Sequence, residues 1–172
     1  RGELTMPEFE QYSPESFMSG PSELFVPKTA NRFVMTVGDI PSFLIKKVTR
    51  PSITFGEIVL DHVNTKRKLQ GKADWSDVSM TLYDPIIPSG ATYVMDWVRL
   101  GYQSATGLAG YPSEYKKQVT VEGLDPAGNI CERFILNGAF PLSTEMGEYD
   151  WSNDQPLEIT LTLKYDWALW DL

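Results

Sequence analysis

Apolar and polar residues alternate with a period of two along most of the patterned part of this chain. From Leu157 to Asp166, Leu157, Ile159, Leu161, Leu163 and Tyr165 alternate with Glu158, Thr160, Thr162 and Lys164. That pattern predicts a strand with one face in a core and the other in water. Trp75–Tyr83 repeats it, with Val78, Met80 and Leu82 against Asp77, Ser79 and Thr81. Arg32–Val37 places Phe33, Met35 and Val37 on one side. Ser42–Thr49 reads as a second strand, stopped by Arg50-Pro51 because proline cannot donate to a ladder. Its adjacent Lys46 and Lys47 point to opposite faces. Glu57–His62 alternates Ile58 and Leu60 with Glu57 and Asp61, so Ile58 and Leu60 are expected to be buried. Tyr115–Leu124 sets Val119 and Val121 against Gln118, Thr120 and Glu122. Ile130–Asn137 follows after the turn Asp125-Pro126-Ala127-Gly128-Asn129, giving a hairpin.

One segment changes period. In Ala91–Tyr102, Tyr93, Val94, Trp97, Val98 and Gly101 lie at helical spacing, with Asp96 and Arg99 opposite and Ser89 as a cap. Asp39-Ile40-Pro41, Asp84-Pro85 and Pro88-Ser89-Gly90 read as breaks. Gln103–Ser113 reads as a loop, and so does the acidic run Pro141–Gln155. The result is a mainly antiparallel β fold with one helix.

Between the strands Glu57–His62 and Trp75–Tyr83 lies a polar stretch, Val63 to Ala73, carrying Lys66, Arg67, Lys68 and Lys72. Read as a connection, it is too long for a tight hairpin turn. It offers only Leu69 between its ends for a core of its own. An arm of this kind serves a protein that grips its neighbours. Residues 1 to 30 form a second irregular arm, rich in proline, serine and glutamate. Phe9, Tyr12, Phe17, Leu24 and Phe25 are too many aromatic and apolar residues for a solvated tail, and packing on another subunit would explain them.

A length of 172 residues with 42% hydrophobic content suits one domain with a full core. We divide it into an N-terminal arm (1–31), a β-sandwich domain (32–166) and a short aromatic tail (167–172). No run of apolar residues is long enough to span a bilayer, and no charged-then-apolar secretion signal opens these residues. The net charge of −8 argues against a nucleic-acid binder held by phosphate contacts. It suits a surface that a polyanion passes without sticking.

Catalytic signatures are missing from the sequence. His62 is the only histidine and sits at a strand end away from any nucleophile motif, so a Ser-His-Asp triad finds no support. Cys131 is the only cysteine, which rules out a disulfide within the chain and suits a small residue in a strand. One histidine and one cysteine far apart make no zinc signature. The acidic run EYDWSNDQ lacks calcium-loop spacing. Gly101, Gly107 and Gly110 do not form a phosphate-binding fingerprint. We therefore expect no enzymatic activity, cofactor or metal.

A resemblance adds to this picture. Asn64, Arg67, Lys68-Leu69 and Gly71, followed by Trp75 before an alternating strand, resemble the tail-tube proteins of contractile-tailed bacteriophages and the related tubes of contractile injection systems. Tyr115-Lys116-Lys117, Gly123-Leu124-Asp125-Pro126, Gly128-Asn129 and Leu157–Tyr165 continue it, so that it covers roughly Arg32 to Tyr165. The resemblance implies hexameric rings. Each subunit would add strands to one continuous inner β-barrel, and stacked rings would form a rigid tube. It also implies a virion tail assembled in the host cytoplasm, with the sheath, baseplate and tail-terminator proteins as partners. After sheath contraction, DNA would pass through the lumen without specific binding. A baseplate tube initiator and a bacterial injection-system tube are alternatives within this class.

In that frame Ser42–His62 and Tyr115–Asn137 are expected to be the barrel hairpins, with Arg32–Val37, Trp75–Tyr83 and Leu157–Asp166 behind them. Glu57, Asp61, Gln118, Thr120 and Glu122 are expected to face the lumen, where Lys46 or Lys47 would moderate the field. Lys66, Arg67, Lys68, Leu69 and Lys72 are expected to make subunit contacts, with Glu145, Glu148 and Asp150 as partners of opposite sign. A different class also fits the 12% aromatic content: a monomeric β-sandwich that binds a carbohydrate or another small ligand.

Overall fold

The computed structural model describes residues 27–171. Among these residues nine strands and two helices follow one another: β1 (Phe33–Val37), β2 (Ile45–Val48), β3 (Ile53–His62), β4 (Thr65–Trp75), β5 (Val78–Tyr83), α1 (Gly90–Gly101), α2 (Pro112–Tyr115), β6 (Lys117–Leu124), β7 (Ile130–Glu145), β8 (Glu158–Lys164) and β9 (Trp167–Asp171). All pairings are antiparallel. The strand order is β1-β6-β7-β8-β5-β2, with β9 added on β7, while β3 and β4 pair only with each other.

β7 connects the two layers. Its first part pairs with β6 and β9, and from Phe140 onward it pairs with β8. Gly138 sits at the change of partner with φ +68, and a Cβ there would lie 2.2 Å from Asp166 Oδ2. Only glycine combines that backbone conformation with that clearance. Met35, Val37, Val119, Val121 and Leu136 from one layer meet Val78, Met80, Leu82, Ile159, Leu161 and Leu163 from the other in a single buried cluster. The alternations that predicted these strands therefore mark the core face correctly. α1 covers one side through Val94 and Trp97. The Trp97 indole N–H donates to the Tyr115 carbonyl at 2.7 Å.

Several expectations are corrected. β2 pairs with β5, so Ser42–His62 is not a hairpin. Its first residues, Ser42–Leu44, form a 3-10 turn rather than strand. β1 joins β6 in the same sheet instead of lying behind it. Trp75–Tyr83 is two strands, broken at Ser76-Asp77, where the Ser76 carbonyl accepts a hydrogen bond from the Tyr165 hydroxyl at 2.8 Å. α2 adds a second helix, starting at a proline suited to a first helical turn. Ser89 occupies the cap position of α1 but makes no capping bond; Asp84 Oδ1 accepts from the Ala91 N–H at 3.1 Å instead. The acidic loop begins only after Glu145, because β7 continues through Pro141. Residues 167 to 171, read as a tail, form β9 and pair with β7. The aromatic arm Phe9 to Phe25 lies outside the described residues.

Tyr165 supplies a pH test of this core. Burial, with the Asp77 carboxylate adding to it, pushes the phenol up from 10.0 to about 12. The folded state then keeps its proton where the unfolded chain loses it. This contribution is complete below pH 10 and falls away as the pH rises through about 12. The slope is at most about 1.4 kcal/mol per pH unit. In urea titrations, Tyr165→Phe should lose less stability than the wild type across that window. Parallel losses would contradict this account.

Candidate subunit interface

The most unusual feature is the hairpin of β3 and β4. The polar arm expected as a loop is strand β4, and the turn contains only Val63 and Asn64. The period of two was invisible in KRKLQGK because, among the described residues, neither face of this ribbon is covered, so no core selects apolar residues on one side. For the same reason Ile58 and Leu60 are exposed rather than buried. No residue of β3 or β4 is buried. A two-stranded ribbon without a covering layer is marginal in water.

Register sorts the side chains. Ile58 lies opposite Leu69, Leu60 opposite Arg67 and His62 opposite Thr65, so these share one face. Glu57, Val59 and Asp61 share the other face with Gln70, Lys68 and Lys66. Lys68 Nζ lies 2.9 Å from Glu57, and Lys66 Nζ 3.8 Å from Asp61. One face thus groups the exposed Ile58, Leu60 and Leu69 beside Arg67, His62 and Thr65, and the other, which also carries Val59, is charged but internally compensated. Arg67 and Lys68, grouped together in the sequence, lie on opposite faces.

At the base of the ribbon the register slips between Phe55 and Glu57. A Cβ on Gly71 would lie 2.9 Å from the Gly56 carbonyl oxygen, so the two backbones approach as only glycine allows. Gly71→Val should open this bulge. Amide exchange should quicken from Ile58 to Leu69, while β8 stays protected. Unchanged exchange in the ribbon would show that the close approach is unimportant. At the tip, Val63 has φ 49, a conformation that β-branched residues rarely adopt.

The other expected site residues are spread out. Gln118, Thr120 and Glu122 alternate with buried Val119 and Val121, so they stay off the core on the outer face of β6. Glu122 accepts from Arg133 Nε at 2.7 Å. Glu145, Glu148 and Asp150 are exposed, and no ion pair joins them to β4 among the described residues. The backbone N–H and hydroxyl of Ser152 hold the Asp150 carboxyl below its ordinary range. Lys72 is exposed on β4. His62 is exposed at the end of β3, far from any nucleophile motif in the sequence. Half-buried Cys131 donates its thiol to the Gly123 carbonyl at 3.4 Å. Among the described residues there is no group of three potential metal ligands, and no helix is long and apolar enough to cross a membrane.

Sequence reasoning missed further exposed apolar groups. They include Phe43, Ile86 and Ile87, together with Trp167, Leu169 and Trp170 along β9.

No protein-family model matches the chain, and no curated protein matches it. Solved structures do. A chain of the PVC sheath–tube complex, an extracellular contractile injection system in the extended state, superposes with a TM-score of 0.68 at 20% identity, covering 86% of this chain and 93% of that one. A chain of the PVC sheath/tube terminator gives 0.69 at 22% identity, covering 87% and 99%. A chain of the anti-feeding prophage tube-terminating cap gives 0.68 at 19% identity, covering 85% and 91%. The fold of this chain is therefore that of the tube and tube-terminator proteins of contractile injection systems.

Proposed function

We propose that this chain is a non-enzymatic tail-tube subunit whose hexameric rings stack into a rigid conduit. In a phage the conduit would carry DNA during ejection after sheath contraction, and its partners would be the sheath, baseplate and tail-terminator proteins. The observation that carries this reading is the β3–β4 ribbon: ten and eleven residues long, with Ile58, Leu60 and Leu69 together on one face and left exposed by the described residues. Neighbouring ribbons and the outer face of β6 would complete an inner barrel and remove the open edges. The charged face with Glu57 and Asp61, together with Gln118, Thr120 and Glu122, would line the lumen. Lys66 and Lys68 compensate the first two, so the wall would be polar without strong net charge. A bacterial injection-system tube is the second reading, favoured by the solved structures that share the fold.

We also retain the basic strand as a subunit contact, through Lys66, Arg67, Lys68, Leu69 and Lys72, with Glu145, Glu148 and Asp150 of a neighbour as partners. Exposed pairs contribute only about 0–1 kcal/mol each, but a ring repeats them and uses them for register. The double variant Arg67→Glu, Lys68→Glu should fold normally and assemble more slowly. Wild-type assembly should also weaken with salt. Light scattering measures both. Normal assembly by the double variant would remove the basic strand from the interface.

A further inference from the structure

A second surface, lined by no residue of β3 or β4, has the features of a receiving site. A cleft of about 400 Å³ opens where β1 and β2, the two ends of the strand order, face each other. Its floor is apolar, formed by Phe33, Val48, Val121 and Phe134. Its rim carries five cations, Lys28, Arg32, Lys46, Lys47 and Arg50, against two carboxylates, Glu122 and Glu132; the two adjacent lysines, expected on opposite faces, both line it because β2 has a bulge between Ile45 and Lys47. Glu132 is buried and already bound: Lys28 Nζ lies 2.5 Å and Arg50 Nη2 2.6 Å from its oxygens. Arg50 also lies over the Phe134 ring, 5.6 Å from its centre. Glu122 is held by Arg133, and Lys46 bonds Glu158. Arg32 and Lys47 have no salt-bridge partner among the described residues. The cleft therefore combines an apolar floor with surplus positive charge and flanks an open sheet edge.

The sequence contains a segment of matching chemistry. Residues 1 to 26 carry five glutamates against one arginine, interleaved with Phe9, Tyr12, Phe17, Leu24 and Phe25. The described chain begins at this same cleft, with Lys28, Thr29 and Ala30 in its wall. Each copy's own chain thus starts from the wall of the cleft, and Pro27 favours extended backbone before it over an immediate reversal into the floor. At about 3.3 Å per extended residue, the glutamates and aromatics of residues 8 to 17 can reach an adjacent subunit.

We propose that this cleft receives the acidic, aromatic N-terminal segment of a neighbouring copy, its aromatics on the apolar floor and its glutamates against Arg32, Lys46 and Lys47. This rests on the ring assembly proposed above. It gives the segment a binding site and makes each subunit both donor and acceptor.

Carbodiimide crosslinking of the full chain tests it. Unlabelled and 15N-labelled copies are mixed as monomers, assembled, crosslinked and digested, and the same sample is imaged for rings. The expected result is isotope-mixed peptide pairs joining Glu8, Glu10, Glu15 or Glu23 to Lys46 or Lys47. Charge reversal at Lys47 should reduce these pairs and leave the Lys46–Glu158 link. Same-isotope pairs alone would mean that each chain fills its own cleft, overturning the proposal. Rings without any link to Lys46 or Lys47 would overturn it and leave the assembly reading intact. A protein that forms neither rings nor mixed pairs would end both.

Discussion

Replacing Leu60 and Leu69 together with aspartate should leave a folded chain that forms no rings. Both side chains sit with Ile58 on one face of the β3–β4 ribbon, 48% and 41% exposed, outside the buried core cluster. Exposed substitutions of this kind usually change stability by less than about 0.5 kcal/mol. In an assembled barrel the same positions would be covered. Fully burying a leucine stabilises by about 1.5–3 kcal/mol, and an unpaired carboxylate in that place costs more than is lost. The penalty recurs in every subunit, so a ring would meet it many times over. Circular dichroism and urea melts should match the wild type, while microscopy shows no rings. Rings of normal diameter would mean that the ribbon face is not an interface.

Leu161→Ala should produce the opposite separation. Leu161 is fully buried at the centre of β8, between Met80 of β5 and Thr144 of β7. The cavity left by such a truncation typically costs 2–5 kcal/mol, depending on how far the surroundings collapse, out of a total of about 5–15 for a domain. The urea midpoint should drop by a large part of its value with an unchanged slope, because the surface exposed on unfolding is nearly the same. Monomers that remain folded should still assemble, since β8 presents Leu161 to the core and to no open surface. A midpoint within error of the wild type would show that β8 is not the centre of the core.

The residues that these variants replace mark the division between what was legible in the sequence and what was not. Val78, Met80 and Leu82 in β5, and Ile159, Leu161 and Leu163 in β8, were readable because one face of each strand is buried and burial imposes the alternation. Val94 and Trp97 identified α1 for the same reason. β4 was not readable as a strand, because Lys66, Arg67, Lys68 and Gln70 answer to no internal core. The pairing of β2 with β5 was equally hidden, since local pattern does not choose a partner distant in sequence. The break at Ser76, which meets the Tyr165 hydroxyl, and the partner change at Gly138, which lies close against Asp166, involve contacts that no spacing rule contains. The resemblance carried by Arg67, Lys68, Leu69 and Gly71 singled out this stretch, but the division of its side chains between two faces needed the register.

The central claim is that the exposed ribbons of neighbouring copies close a barrel around a lumen. Cryo-microscopy of the concentrated full chain tests this most directly. The account predicts six-fold rings, stacked into tubes, with β3 and β4 forming the inner wall and Glu57 and Asp61 facing the channel. A monodisperse monomer at every concentration, or rings in which the ribbon lies on the outer surface, would contradict it.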